Sequence, residues 1–196
     1  VANHFAETKS ALRPVLYLAN MAHNMLGDKV MSSIGQGLHQ IGVPLWTPSM
    51  PKSYYPHRIQ QHEESLKVVY FPSCINQTMG TAKDSPDKTV ALLQKAGYEV
   101  IFPENMKNLC CGTIWESKGM MDIADRKSAE LEAALYKASN GGKYPVLCDQ
   151  SPCLHRMREV MTQVKLYEPV EFIYTFLKDK LVFSPIDEPI AVHITC

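Results

Sequence analysis

An excess of charge of either sign is the first thing missing from this chain: 20 Lys and Arg stand against 20 Asp and Glu over 196 residues. A broad nucleic-acid footprint normally needs a basic excess, so a DNA- or RNA-coating role is excluded. No run approaches the ~18–20 apolar residues that span a bilayer. Val1 to Lys9 lack the basic start and apolar core of a secretion signal. A Gly-rich phosphate loop and a nucleophile elbow are also missing, so nothing here binds FAD alone. Six cysteines are too few for a disulfide-stapled mini-protein of this size. The chain starts without Met and stops on a strand-like run, Ile190 to Cys196, so the expectation is a piece of a longer polypeptide.

What is present divides into two parts. Leu12, Val15, Leu16, Leu18, Ala19, Ala22, Met25 and Leu26 follow helical spacing, with Pro14 near a first turn. A second amphipathic stretch runs from Val30 to Ile41, and Pro44, Pro48, Pro51 and Pro56 then break regular structure. Residues 1–64 therefore read as a helical arm and Pro-rich linker, with the apolar stripe facing a core rather than a membrane. From Leu66 strand-like and helical runs alternate. Lys67–Phe71, Tyr98–Phe102, Pro145–Cys148 and Lys165–Tyr167 read as strands. Helices are predicted from an N-cap at Ser85 to Gly97, from Ser117 to Ser139, from Pro152 to Val164 and from Pro169 to Leu177. The alternation predicts an α/β fold, a doubly wound and mainly parallel sheet, over residues 65–188. Residues 189–196 copy the opening of 68–74, an apolar strand leading to a cysteine, and read as the start of a truncated second repeat.

That topology puts Cys74, Cys110-Cys111 and Cys153 on turns that follow strands, where sites in open α/β sheets gather. Adjacent cysteines are poorly placed to bridge each other, but they can bring two soft thiolates to one metal cluster. Gly112 permits a positive φ and close approach of the chain to a bulky inorganic group. The helix after Glu116-Ser117 would point backbone N–H groups at the loop and favour anionic sulfur. Four thiolates suit an iron–sulfur cluster and also a structural Zn site. Taken singly, Cys74, Cys148 and Cys196 read equally well as buried core residues. His155 reads as a helix-surface residue, and His57, His62 and His193 have no ligand spacing. Glu116 and Asp149 read as helix-start and turn residues, and Asp122, Asp125 and Arg126 as a solvated helix face. Trp115 fits either a shield over a cluster or plain packing.

The segments Tyr70-Phe-Pro-Ser-Cys74-Ile-Asn, Leu109-Cys110-Cys111-Gly112-Thr and Cys148-Asp-Gln-Ser-Pro-Cys153 resemble the cysteine-rich CCG domain. That domain occurs in heterodisulfide reductase B subunits, glycolate oxidase iron–sulfur subunits and lactate-utilisation proteins. Over residues 66–196 the wording is similar to the C-terminal region of FAD-linked D-lactate dehydrogenases, through Trp115, Ser117, Lys118 and Gly119 after Cys-Cys-Gly. The family ends its pattern on Cys-x-x-Cys, whereas Gln150 stands here where the first of those cysteines is expected. The resemblance thus implies Cys74, Cys110, Cys111 and Cys153 as ligands, with Cys148 an additional candidate. It implies a Rossmann-like fold, a [4Fe-4S] cluster here, and FAD on another part of the parent enzyme. The fragment would pass electrons from a 2-hydroxyacid, D-lactate first, toward a respiratory acceptor without being catalytic alone. Its partners would be the flavin-binding and ferredoxin-like parts of the same polypeptide, in the cytoplasm or at the inner face of the cell membrane. The alternative is a non-catalytic assembly domain with structural Zn or no metal. Thiol–disulfide exchange is disfavoured, because no Cys-x-x-Cys opens a helix.

Overall fold

Four apolar runs pair side by side into one sheet in the computed structural model, which describes residues 4–43, 45–48, 66–78 and 85–192. They are β1 (Leu66–Phe71), β2 (Tyr98–Ile101), β3 (Val146–Cys148) and β4 (Leu166–Tyr167). The order is β2-β1-β3-β4 and every pair is parallel, with Val69 opposite both Ile101 and Val146, and Phe71 opposite Cys148. Parallel strands need crossover connections, and here these are helices. They are α3 (Ser85–Lys95), α5 (Met121–Ala138) and α6 (Ser151–Val160), with α7 (Pro169–Phe172) following β4. Shorter pieces are α2 (Cys74–Thr78) and α4 (Thr113–Glu116), and α1 (Phe5–His39) precedes the sheet.

Because side chains alternate along a strand, β1 feeds two cores at once. Val69 and Phe71 pack with Leu131, Leu135, Leu154 and Met157 of α5 and α6. Val68 and Tyr70 pack on the other face with Leu93 of α3 and with Phe172 and Leu177. The fold is the expected doubly wound α/β sheet with helices on both faces, preceded by an N-terminal helix. Among the described residues no helix is long and apolar enough to cross a membrane.

Several expectations are corrected. Helix α1 is one element broken at Gly27 (φ 74°, ψ 173°), and Pro14 lies well inside it rather than near its first turn. Its expected core-facing stripe is mostly exposed: Leu16 is buried, while Val15, Leu18 and Met25 are 60%, 61% and 76% exposed. Among the described residues the arm packs on the sheet domain chiefly near α2 and the turn Met106–Asn108. Ser85 is the first residue of α3 rather than its N-cap. The helix expected from Ser117 to Ser139 begins only at Met121, since Gly119 (φ 72°) turns the chain just before it, and the short α4 ahead of Ser117 was not foreseen. Helix α6 ends at Val160, four residues before Val164, and Pro169–Phe172 continues into a π-helical turn, Ile173–Leu177. Tyr54, Tyr55, Pro56, His57, His62, His193 and Cys196 lie outside the described residues, as does most of the Pro-rich linker. Ile190 to Val192 carry no regular structure.

The core predicts its own weak point. Leu131 on α5 is fully buried in the cluster that faces β1 and β3. Leu131→Ala is expected to cost about 2–5 kcal/mol through lost burial and a residual cavity. Denaturant unfolding checks this, and an unchanged midpoint would contradict the packing.

Candidate metal centre

The strand order reverses between β1 and β3, so the chains leaving these neighbours depart to opposite faces. Strand β1 leads toward α3, which lies on one face, and β3 leads into α6 on the other. Such a switch point opens a crevice at the carboxyl edge of the sheet. Cys74 opens α2 just past β1, and Cys153 lies in the first turn of α6 just past β3. Cys110 and Cys111 arrive from β2 through the turn Met106–Asn108, immediately before α4.

The four thiols meet in a chain. Cys74 hydrogen-bonds Cys110, Cys110 also bonds Cys111, and Cys111 bonds Cys153. Cys110 and Cys111 are buried and the two outer cysteines half-buried, and all described cysteines are free. Backbone N–H groups of Ile75, Gly112 and Thr113 point at Cys74, Cys110 and Cys111 respectively. The Thr113 hydroxyl lies 3.3 Å from the Cys111 sulfur and donates to the Pro152 carbonyl, also at 3.3 Å, joining the Cys-Cys-Gly loop to the Cys153 turn.

Gly112 (φ 95°) is the residue this geometry cannot replace. A Cβ there would fall 2.5 Å from the Ala124 carbonyl oxygen and 2.9 Å from Ser128 Oγ. The close approach leaves room for Ser128 Oγ, itself buried, to donate to the Cys111 carbonyl at 2.7 Å and to the Ala124 carbonyl at 3.0 Å. The long helix α5 therefore grips the loop from beneath.

The sulfurs divide by charge. Cys74 is held below the ordinary thiol range by the hydrogen bond from Cys110, against its own burial. Hydrogen bonds from Cys110 and Cys153, and then from Thr113, hold Cys111 lower still. Cys110 is pushed up by its bonds to Cys111 and Cys74 and by burial, and Cys153 by its bond to Cys111 and by burial. The hydrogen bonds thus favour negative charge on Cys74 and Cys111 over Cys110 and Cys153.

Cys148 is placed differently. It is fully buried at the end of β3, faces the α5–α6 core and donates to the Gln150 carbonyl at 3.8 Å. Burial pushes its thiol up to about 12. Among the described residues no hydrogen bond joins it to the chain of four, and its neighbour matters more.

Asp149, read from sequence as a plain turn residue, is the anchor of the Cys74 loop. Its carboxylate accepts from Tyr70 Oη at 2.8 Å, from the Ser73 backbone N–H at 2.8 Å and from Asn76 Nδ2 at 2.9 Å. Asp125, read as solvated, and Glu116 both pair with Arg156, which is 4% exposed; its Nη1 to Glu116 Oε1 distance is 2.7 Å. That ion-pair group ties α4, α5 and α6 around the site. Trp115 is buried, and His155 is exposed beside Glu159, as a helix-surface residue should be. Asp149 could have been suspected from an acid set at a strand end beside the motif. Ser128 and Arg156 leave no sequence signal, since their partners are far away along the chain.

Among the described residues no group of three or more His, Cys, Asp or Glu side chains is arranged to hold a single metal ion. The four sulfurs run as a chain and do not ring one point. Their chemistry nonetheless fits an iron–sulfur group: all four donors are soft, and three of the four sulfurs receive N–H bonds.

Residues 68–158 match the family model described as CCG, cysteine-rich domain. No curated protein and no solved structure matches the chain.

Two outcomes are expected. Asp149→Ala removes three hydrogen bonds to one carboxylate, from Tyr70, Ser73 and Asn76; with bonds to a charged group at about 1.5–3 kcal/mol each and partial compensation, it should cost about 2–4 kcal/mol, with Asp149→Asn milder. Equilibrium unfolding measures this. Binding a metal must also expel protons from thiols pushed up by their neighbours and by burial, Cys110 and Cys153, so affinity falls as pH falls, by about tenfold or more per pH unit. A Zn2+ titration with proton-release calorimetry reads this, and an affinity independent of pH would contradict the protonation pattern.

Proposed function

We propose, on the premise that residues 68–158 are a CCG cysteine-rich domain, that Cys74, Cys110, Cys111 and Cys153 hold an iron–sulfur cluster in an electron-transfer module. A cysteine-rich domain of this kind is consistent with metal or iron–sulfur binding in oxidoreductase-type proteins. The single observation that carries the reading is the chain of four thiols drawn from three separate strand ends. The proposed setting is a flavin and iron–sulfur 2-hydroxyacid dehydrogenase, with D-lactate as substrate at a flavin part and a respiratory acceptor such as quinone or cytochrome beyond.

When bound, a [4Fe-4S] group supplies one-electron storage at a potential set by charge, burial and hydrogen bonds to its sulfurs. The chain's own residues provide those settings. Gly112 brings the backbone close, and Ser128 and Thr113 hold the loop that carries Cys110 and Cys111. The N–H groups of Ile75, Gly112 and Thr113 stabilise negative sulfur. Asp149 keeps Cys74 at the edge of β3, and buried Trp115 and Leu109 limit the access of water.

The test is anaerobic reconstitution of the full chain with iron and sulfide, followed by metal and acid-labile sulfide analysis and EPR. About four iron and four sulfide per chain with a reducible signal are expected. Cys110→Ser and Cys111→Ser should abolish bound metal while leaving the far-UV circular dichroism of the sheet domain intact. Unchanged iron in both variants makes the ligand assignment wrong, and one tightly held Zn moves the reading to an assembly domain.

A further inference from the structure

Helix α1 has two unlike sides. Toward the sheet domain, Lys9 and Leu16 are buried at 6% and 5% exposure. Between them Arg13 donates from Nη2 to the Gln77 carbonyl of α2 at 3.2 Å. The other side is open and apolar. Leu12, Val15, Ala19, Ala22 and Leu26 recur at alternating steps of three and four residues, the spacing of a coiled-coil seam. Ala11, Leu18 and Met25 each stand one residue before a member of that series and widen the seam into a stripe. Residues 14–26 hold no Asp, Glu, Lys or Arg. Beyond the break at Gly27, Val30, Ile34 and Leu38 recur every four residues and are 46%, 45% and 43% exposed.

Ten large apolar residues of α1 are at least 40% exposed. At roughly 90 Å² each they leave on the order of 900 Å² open, more than the few hundred Å² of contiguous apolar surface that a monomer ordinarily shows. The same area is comparable with the ~800 Å² that each partner gives to a stable interface. The sizes along the seam point to the occupant. Val15, Ala19, Ala22 and Leu26 run large, small, small, large, and the order is the same from either end. We propose that a second copy of this chain covers the stripe, its α1 antiparallel to the first about a two-fold axis that passes between Ala19 and Ala22. Each Ala19 then meets an Ala22, so the two backbones approach closely, and each Val15 meets a Leu26 that closes the seam on either side. In a two-fold interface a surface patch faces itself, so a charge near the axis would face its own kind, and this stretch carries none. The pairing is independent of the metal that the cysteines hold. Because Arg13 ties α1 to α2, which opens at Cys74, the pair of helices would hold one four-cysteine centre on each outer side.

The full chain is measured by sedimentation velocity over about 1–100 µM, because dimer content depends on protomer concentration. Wild type is expected at twice the 22.1 kDa of one chain. Val15→Glu and Leu26→Lys each set a charge against an apolar residue and should weaken the dimer at least hundredfold. Both positions are exposed in the single chain, at 60% and 47%, so far-UV circular dichroism should not change. The double variant Val15→Glu/Leu26→Lys sets Glu opposite Lys only in the antiparallel register, and should recover at least tenfold over either single variant. Tyr17→Glu, on the exposed surface away from the seam, should stay within threefold of wild type. One chain's mass at every concentration overturns the proposal, and binding of that monomer to phosphatidylcholine vesicles would make the stripe a lipid surface. A dimer that both single variants leave intact, or that Tyr17→Glu weakens equally, overturns the seam. A double variant no tighter than the single ones overturns the antiparallel arrangement.

Discussion

Parallel strands all finish at one edge, and at one place in this sheet the chains leaving two neighbouring strands must go to opposite faces. The rest of the molecule depends on that constraint. Strands β1 and β3 are hydrogen-bonded neighbours, yet α3 covers one face and α6 the other. The crevice between the departing chains is where Cys74 and Cys153 come within reach of each other's neighbours, and the loop from β2 closes it with Cys110 and Cys111. No local propensity could bring these residues together, since they come from three separate crossovers.

A crevice lined by sulfur needs support, because thiols pack as small apolar groups and bind as anions. The structure supplies support of two kinds. Neutral hydrogen bonds from Ser128 and Thr113, with the tight turn at Gly112, fix the backbone that carries Cys110 and Cys111. Charged groups do the longer-range holding. Asp149 gathers three donors around the Cys74 loop, and Arg156 draws Glu116 and Asp125 inward from α4 and α5. An ion-pair group of this sort gains little stability after desolvation, and its value here is to set one arrangement of three helices.

Cys148 shows how finely the edge discriminates. It ends β3 next to Asp149, closer in sequence to Cys153 than any other cysteine, and yet it belongs to the core. Successive residues on a strand point to opposite sides, and the chain leaves the strand after Cys148, so Asp149 rather than its neighbour meets the loop after β1. Spacing alone left Cys148 open as a ligand; its direction out of the sheet gives it a packing role beside Leu154 and Met157.

The apolar runs, the glycines that end helices and the spacing of the cysteines were enough to read the parallel α/β fold and to bring forward Cys74, Cys110, Cys111 and Cys153, because those signals are local and periodic. The break at Gly119 was missed, since helix propensity continues across it and only the turn geometry stops it. The same limit hid the exposure of the arm's stripe, the three donors on Asp149, the partners of Arg156 and the burial of Lys9. Each of those depends on which distant segment lies alongside, and side-chain hydrogen bonds and charge pairing are decided by distance in space. The amino-acid sequence by itself determined which elements form and which residues carry soft donors. Only the tertiary structure decided which of the donors meet, because that follows from the order of the strands and the faces on which the helices return.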